Sequence, residues 1–490
     1  MTFIFYDTET TGTNSAFDQI LQFAAIKTDA DLNEVGRFEI RSRLLPYIVP
    51  SPGALRVTGL TIDDLLDEAH PSHYEMVTEI RRTLAGACPA AFVGYNSLKF
   101  DEEFLRQAFY QCLHPPYLTN TGGSRRADAL HLIRAAAILH PDAITAAVSD
   151  KGGPSFKLDR LAPANGFNHA NAHDALADVE ALIFLCRIVR DRAPQLWDRF
   201  LRFASKAAVE DFLRREEAFL LLEFFPVQTG RYIATAIGSN DANIAYCYDL
   251  GLDPDELRGM GDEALADRLA RSPRPLRKVK RNAAPCLCPL SEVPEEMLGG
   301  VSPDEFVRRA RLLRSDRVLV EQLVRVAVQM EPAYPPSPFV ERQIYDGFWS
   351  NADGRKMEAF HDASWERRAV IAESFEDPRL AWLARRLIFV GHPHLLAPEH
   401  HASMAAEKAA RMLTDQSASG GWTTLSGAAS DLDAMLPKLE GAAVEPFQRL
   451  RVYFEHAVRR ALQFQTVDQV GFRNGNERDA HPVRNFSEDG

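Results

Sequence analysis

Three short apolar runs open the chain, residues 3–6 (FIFY), 20–27 (ILQFAAIK) and 90–95 (AAFVGY), and stretches of helical spacing follow at 102–112 and 172–190. Strands interleaved with helices predict an α/β layer around a central sheet over about the first 190 residues. The chain has 490 residues, and single cores stop growing at roughly 250–300, so further domains must follow. Between 200 and 300 the pattern changes: apolar runs at 219–225, 231–237 and 242–250 are punctuated by Thr229-Gly230 and Gly238-Ser-Asn-Asp241, the mark of strands joined by tight turns. From Pro303 onward the periodicity is mostly helical, interrupted at 331–338 by four prolines in eight residues. The last residues, from Gly475, are polar and predict a disordered tail.

Composition narrows the class. At 46% hydrophobic and 25% charged, the chain can bury cores, and wholesale disorder is excluded. No apolar run approaches the roughly 18 residues of a membrane span. The first residues lack a basic start and a cleavable apolar segment. Six cysteines are few for this length and suit a reducing compartment, so a cytoplasmic protein is expected. The net charge of −12 argues against a nucleic-acid partner, yet residues 271–325 carry 12 basic and 7 acidic side chains. The sharpest part, Arg271 to Arg281, includes Arg277, Lys278, Lys280 and Arg281, and reads either as a solvated loop or as a phosphate contact.

Chemistry concentrates in carboxylates. Asp7-Thr-Glu9 ends the first strand, and residues i and i+2 of a strand share a face. Two like charges side by side require a cation or a shifted pKa, unless the pair is merely an exposed acidic strand end. Asp101 follows the third run at the start of a helical stretch, and His173-Asp-Ala-Leu-Ala-Asp178 opens another. Asp174 suits a helix N-cap, leaving His173 and Asp178 free to face one pocket. Four carboxylates at two strand ends and two helix starts fit two hard divalent cations, Mg²⁺ with Mn²⁺ as a substitute. His173 is either a buried structural histidine or a general base, since an unperturbed imidazole near 6.5 accepts a proton at neutral pH. His169 and His173 stand four apart, but no third soft ligand accompanies them, so zinc is rejected.

These residues resemble a known family. The order Asp-x-Glu, Asn-x-x-Phe-Asp and His-x4-Asp is the pattern of the DEDDh 3′→5′ exonucleases. Within them FIFYDTETTGT, QFAAIKTD, PSPGALRVTGLT, GYNSLKFDEE, GGPSFKLDRLAPANGF, HANAHDALADV and the downstream QIYDGFWSNAD are similar to bacterial exodeoxyribonuclease I. The resemblance implies an RNase H-like domain with a mixed sheet at 1–193, an SH3-like β-rich domain with a basic loop at 194–338, a helical domain at 339–474 and a tail at 475–490. It implies Asp7, Glu9, Asp101 and Asp178 as ligands of two Mg²⁺ ions and His173 as the base. Glu9, Thr10, Thr11, Gly12, Phe17, Thr58 and Gly59 would meet the 3′-terminal nucleotide. Lys99, Phe100, Phe156 and Lys157 would touch the strand, and Arg277, Lys278, Lys280 and Arg281 its phosphates; Phe100 is equally compatible with the core. The implied activity is removal of 5′-mononucleotides from single-stranded DNA in repair and recombination. The implied partners are that DNA and the acidic C-terminal tail of single-stranded DNA-binding protein, with the enzyme a monomer and no membrane involved. An exoribonuclease and a non-catalytic strand-binding protein are the alternatives.

Overall fold

The computed structural model describes residues 2–168, 174–225, 228–240, 243–332 and 335–475, with side chains to residue 464. The expectations for His169, His173 and the tail beyond Gly475 lie outside the described residues.

The first layer contains β1 (Phe3–Thr10), β2 (Ile20–Thr28) and β3 (Glu34–Arg41), the helices α1 (Pro52–Thr58), α2 (Ile62–Leu66) and α3 (His73–Ala85), then β4 (Ala91–Gly94), α4 (Asp101–Gln111), β5 (Arg125–Asp128) and α5 (Ala129–Leu139). A small hairpin, β6 (Ala147–Val148) and β7 (Pro154–Ser155), precedes α6 (Leu158–Ala164), α7 (Ala175–Arg192) and α8 (Pro194–Phe203). The sheet order is β3-β2-β1-β4-β5. β1 is antiparallel to β2 and parallel to β4, which is parallel to β5, so the sheet is mixed as expected.

β1 sits at the centre with both faces covered. Its odd residues Phe3 and Phe5 join one core with α5 and α7, and its even residues Ile4 and Tyr6 join another with α3 and α4. A strand buried on both sides reads as a continuous apolar run, which is what residues 3–6 are. The helix after residue 193 stays with this layer: the Trp197 ring of α8 lies 5.9 Å from Phe3.

After α9 (Lys206–Arg215) comes a second sheet built from β8 (Phe219–Phe224), β9 (Thr229–Ser239) and β10 (Ile244–Asp249), then α10 (Asp262–Ala270), β11 (Leu276–Lys280) and β12 (Cys286–Pro289). Its order is β11-β10-β9-β8-β12, antiparallel throughout. Here one expectation is corrected. The basic segment is not a loop: residues 276–280 form edge strand β11, because Val279 fills the core while its neighbours project outward. Cys286 and Cys288 are free thiols on β12, and Cys288 is buried as core filler.

Helices α11 (Pro303–Ser315) and α12 (Arg317–Gln329) pack on this sheet, and α13 (Asn351–Asp362), α14 (Trp365–Ala372), α15 (Pro378–Gly391), α16 (Pro398–Leu413), α17 (Leu425–Met435) and α18 (Val444–Gly475) follow. The C-terminal helices share cores with the first layer. Phe360, Leu380 and Ile388 pack with Ile4, Tyr6 and Phe92, and Leu425, Leu450 and Phe454 pack with Leu55, Ile62 and Leu65. Among the described residues no helix is long and apolar enough to cross a membrane.

Candidate active site

The alternation of β1 continues past its apolar half. Asp7 and Glu9 carry on the face of Phe3 and Phe5, toward α7. Asp174 caps α7, its Oδ1 accepting the Ala177 N–H at 3.3 Å, and so sets where the first turn begins. Asp178, on that turn, meets the strand: carboxylate oxygens of Asp7, Glu9 and Asp178 all lie within 4.8 Å of one another. Thr8, pointing the other way, receives Asp101. The Thr8 N–H and Oγ1–H donate to Asp101 Oδ1 at 3.0 and 2.6 Å, which brings the α4 N-terminus to the same strand end.

The electrostatics follow from this crowding. Burial, then Asp101, Glu9 and Asp178, push the Asp7 carboxyl well above the usual range. Burial, then Asp178 and Asp101, lift Glu9 to about 8. Burial lifts Asp101 to about 7 against the Thr8 hydrogen bond that holds it down. Among the described residues, the leading causes of these shifts include no basic side chain. An all-oxygen donor set that repels itself is suited to a hard divalent cation, which neutralises that charge. By contrast, neighbouring Glu102 is fully partnered. It accepts from Tyr6 Oη at 3.1 Å, from Arg106 and Arg126 at 3.0 Å each, and from Thr119.

The loop carrying Lys99 and Phe100 is held from below. Gly94 ends β4, and a Cβ there would stand 2.4 Å from Ser97 Cβ. Buried Asp128 then accepts the N–H groups of Asn96 (2.8 Å), Leu98 (3.3 Å) and Leu130 (3.0 Å), tying this loop to the start of α5. Asp128 escaped the sequence reading, although a carboxylate between strand and helix is an N-cap signal.

From Asp178 a cleft of about 1100 Å³ runs to the β8–β9 hairpin. Of the expected contacts, Lys99, Phe156 and Lys157 line it beside Asp178, with Val57 next to Thr58. Gly59 caps α1 at φ 70°, a left-handed position that glycine takes without strain. Phe225 and Arg231 also line the cleft. They were missed, though an aromatic pair at the end of an apolar run was the available signal.

Other expected contacts lie elsewhere. Phe17 is buried (6% exposed), its ring edge-on to Phe339 at 5.7 Å and Trp422 at 5.3 Å, where it anchors the C-terminal helices. Thr11 is fully buried with Oγ1 donating to Asp18 at 3.0 Å, and Thr10 donates to the Gly12 carbonyl at 2.6 Å. Buried Gly12 faces Asp18 rather than the cleft, and the Phe100 ring lies 4.9 Å from Phe104. None of the basic β11 group lines the cleft. Arg277 covers the Tyr232 ring at 3.6 Å and reaches Glu223 at 3.3 Å, Lys278 pairs with Glu331 at 2.9 Å, and Arg281 with Glu210 at 2.9 Å. Lys280 is exposed at the strand's end. A run of cations in sequence is thus divided among separate carboxylates in space.

Residues 4–185 match a family model described as "Exonuclease", and 339–456 one described as "Exonuclease I C-terminal domain". Exodeoxyribonuclease I of Escherichia coli is 29% identical over 397 residues, 77% of this chain and 83% of that protein. Exodeoxyribonuclease I of Haemophilus influenzae is 30% identical over 399 residues, 77% of this chain and 84% of its own length. Among solved structures, E. coli Exonuclease I in complex with a dA16 oligonucleotide superposes with a TM-score of 0.81 at 26% identity, covering 93% of this chain and all (100%) of that one.

Proposed function

The chain belongs to the exodeoxyribonuclease I family, and on that premise we infer that it is a divalent-metal-dependent hydrolase that degrades single-stranded DNA from the 3′ end to 5′-mononucleotides. One observation carries the reading. Three carboxylates from two distant segments, Asp7, Glu9 and Asp178, converge within 4.8 Å, with Asp101 close enough to raise Asp7, at the end of a cleft with lysines on its wall.

Asp7, Glu9, Asp101 and Asp178 would hold two Mg²⁺ ions, which Mn²⁺ could replace, and the ions would supply Lewis acidity toward the water and the phosphodiester. His173, next in the chain to the Asp174 cap, takes the proton of the attacking water. The new P–O bond forms in line with the scissile P–O3′ bond. That bond breaks, the 3′ oxygen of the shortened strand picks up a proton, and the nucleotide leaves with its 5′ phosphate. Lys99, Lys157 and Arg231 attract the backbone, Phe156 and Phe225 offer faces on which bases stack, and the backbone at Thr58 and Gly59 borders the terminal sugar.

The first layer with α8 is an RNase H-like exonuclease domain, the antiparallel sheet an SH3-like domain, and the helices from 339 a C-terminal domain that braces the first. The enzyme acts as a cytoplasmic monomer in repair and recombination, where the acidic tail of single-stranded DNA-binding protein recruits it. The substrate is tested by digesting 5′-labelled single-stranded DNA beside RNA of the same sequence. A ladder descending from the 3′ end of DNA is expected, and shortening of RNA alone would overturn the assignment.

A further inference from the structure

Glu9, Gln22 and Arg41 form one row across the first sheet. Glu9 stands opposite Gln22 on β2, and Gln22 opposite Arg41 on β3, so the three side chains share the face that α7 covers. The Gln22 amide, 1% exposed, donates to Asp174 Oδ2 at 3.1 Å and to Glu39 Oε1 at 2.9 Å. Arg41 donates to the same Asp174 oxygen at 3.1 Å and reaches Glu39 at 3.5 Å. The other Asp174 oxygen caps α7. A row that begins at one carboxylate of the cluster therefore ends on the cap of the helix that delivers another, Asp178, in its first turn.

Farther along α7 the same β2–β3 hairpin makes separate holds. Arg37 pairs with Glu180 at 3.2 Å between two exposed side chains, and Arg187 and Arg190 donate to the carbonyl oxygens of Leu32 and Asp31. These lie beyond the turn that carries Asp178. The Asp174 charge, by contrast, is felt at both Asp7 and Glu9, so this carboxylate lies beside the cluster. We propose that Arg41, acting through Gln22 and Asp174, is a positioning residue for the cation site. It fixes the first turn of α7 so that Asp178 meets Asp7 and Glu9, and it holds Asp174 on the cap and out of the cluster. This rests on the metal-dependent reading, and it assigns Arg41 no contact with a cation or with DNA.

The test compares Arg41→Met, Arg41→Lys, Gln22→Met and Arg37→Met with wild type. Three quantities are read: Mn²⁺ affinity without DNA, from the paramagnetic resonance of the free ion; the Mg²⁺ concentration for half-maximal cleavage of single-stranded DNA; and hydrogen exchange of residues 174–182. Removing a buried partner that orients cation ligands costs about tenfold or more in affinity, which is the weakening of Mn²⁺ binding expected of Gln22→Met. Arg41→Met breaks a partly exposed ion pair and should weaken it about fivefold. In both, half-maximal Mg²⁺ should rise in step, the rate at saturating Mg²⁺ should stay within about twofold of wild type, and exchange at the start of α7 should quicken. Arg41→Lys keeps a cation beside Asp174, and Arg37→Met leaves that end of the helix alone, so both should bind Mn²⁺ within about twofold of wild type. Wild-type Mn²⁺ affinity in Arg41→Met and Gln22→Met would overturn the proposal, even if both melted at lower temperature. Equal weakening in Arg37→Met would also overturn it, since any hold on α7 would then serve. A wild type that binds no Mn²⁺ would remove the cation site itself, an outcome distinct from Mn²⁺ bound equally by all five proteins.

Discussion

Replacing Glu9 by Gln should stabilise the metal-free protein, increasingly so as the pH rises. Glu9 is 8% exposed, and burial, Asp178 and Asp101 lift its carboxyl from 4.5 to about 8. A carboxyl raised on folding holds its proton more tightly in the folded state. Its stabilising contribution is complete below the unfolded value of 4.5 and disappears as the pH climbs through about 8. At about 1.4 kcal/mol per pKa unit the gap sets a ceiling of about 5 kcal/mol. Asp7 and Asp101 share the repulsion and titrate with Glu9, so about 2 kcal/mol is the expected gain of Glu9→Gln at about pH 9. The assay is thermal unfolding of both proteins in EDTA from about pH 5 to 9, following the transition of the first domain, since a multidomain chain has no single midpoint. The gap should open with pH. Millimolar Mg²⁺ should then reverse the order, because cation binding stabilises the intact carboxylate set and the amide weakens it. A variant less stable than wild type in EDTA at the alkaline end, or a gap that closes with rising pH, would refute the reasoning.

Glu102→Ala should cost about 3–5 kcal/mol in a denaturant titration, because it takes the carboxylate from buried Arg126 and leaves buried Arg106 with Glu103 alone. Conversion of Lys99 and Lys157 to Gln should each lower the slope of log affinity for single-stranded DNA against log salt by about 0.7. Arg277→Ala should leave that slope unaltered and instead destabilise the second sheet, where Arg277 braces Tyr232 and Glu223. Phe17→Ala should cost about 3–4 kcal/mol and loosen the C-terminal helices, read as faster hydrogen exchange around Phe339 and Trp422.

What could be read from the sequence was what local periodicity encodes. Two-residue alternation placed Asp7 and Glu9 on one face, and a helix start placed Asp178 one turn beyond its cap. A central sheet, the second β region and the helical C-terminal third followed from similarly local patterns, whereas the mixed order of the sheet came from the family resemblance. What failed depended on contacts across the chain. Phe17 sits in a motif beside the metal strand, yet its partners Phe339 and Trp422 are more than 300 residues away, and only the folded chain shows the ring sealed between them. The cations of β11 were legible as a charged run, but their carboxylates, Glu210, Glu223 and Glu331, come from three other segments. Glu102 was invisible beside Asp101 because adjacent helical residues point apart, one to the strand end and the other into a buried arginine pair. Arg134 carried no motif at all: its hydrogen-bond acceptors lie in a hairpin some 90 residues downstream.

The central claim is that the carboxylates of β1, α4 and α7 hold the cations that hydrolyse single-stranded DNA. It is tested most directly by following 5′-labelled single-stranded DNA with wild type and Asp178→Ala, each in Mg²⁺ and in EDTA. Stepwise shortening from the 3′ end by wild type in Mg²⁺, abolished both by EDTA and by the substitution, is the predicted result. Shortening that survives in EDTA or in Asp178→Ala would contradict the account.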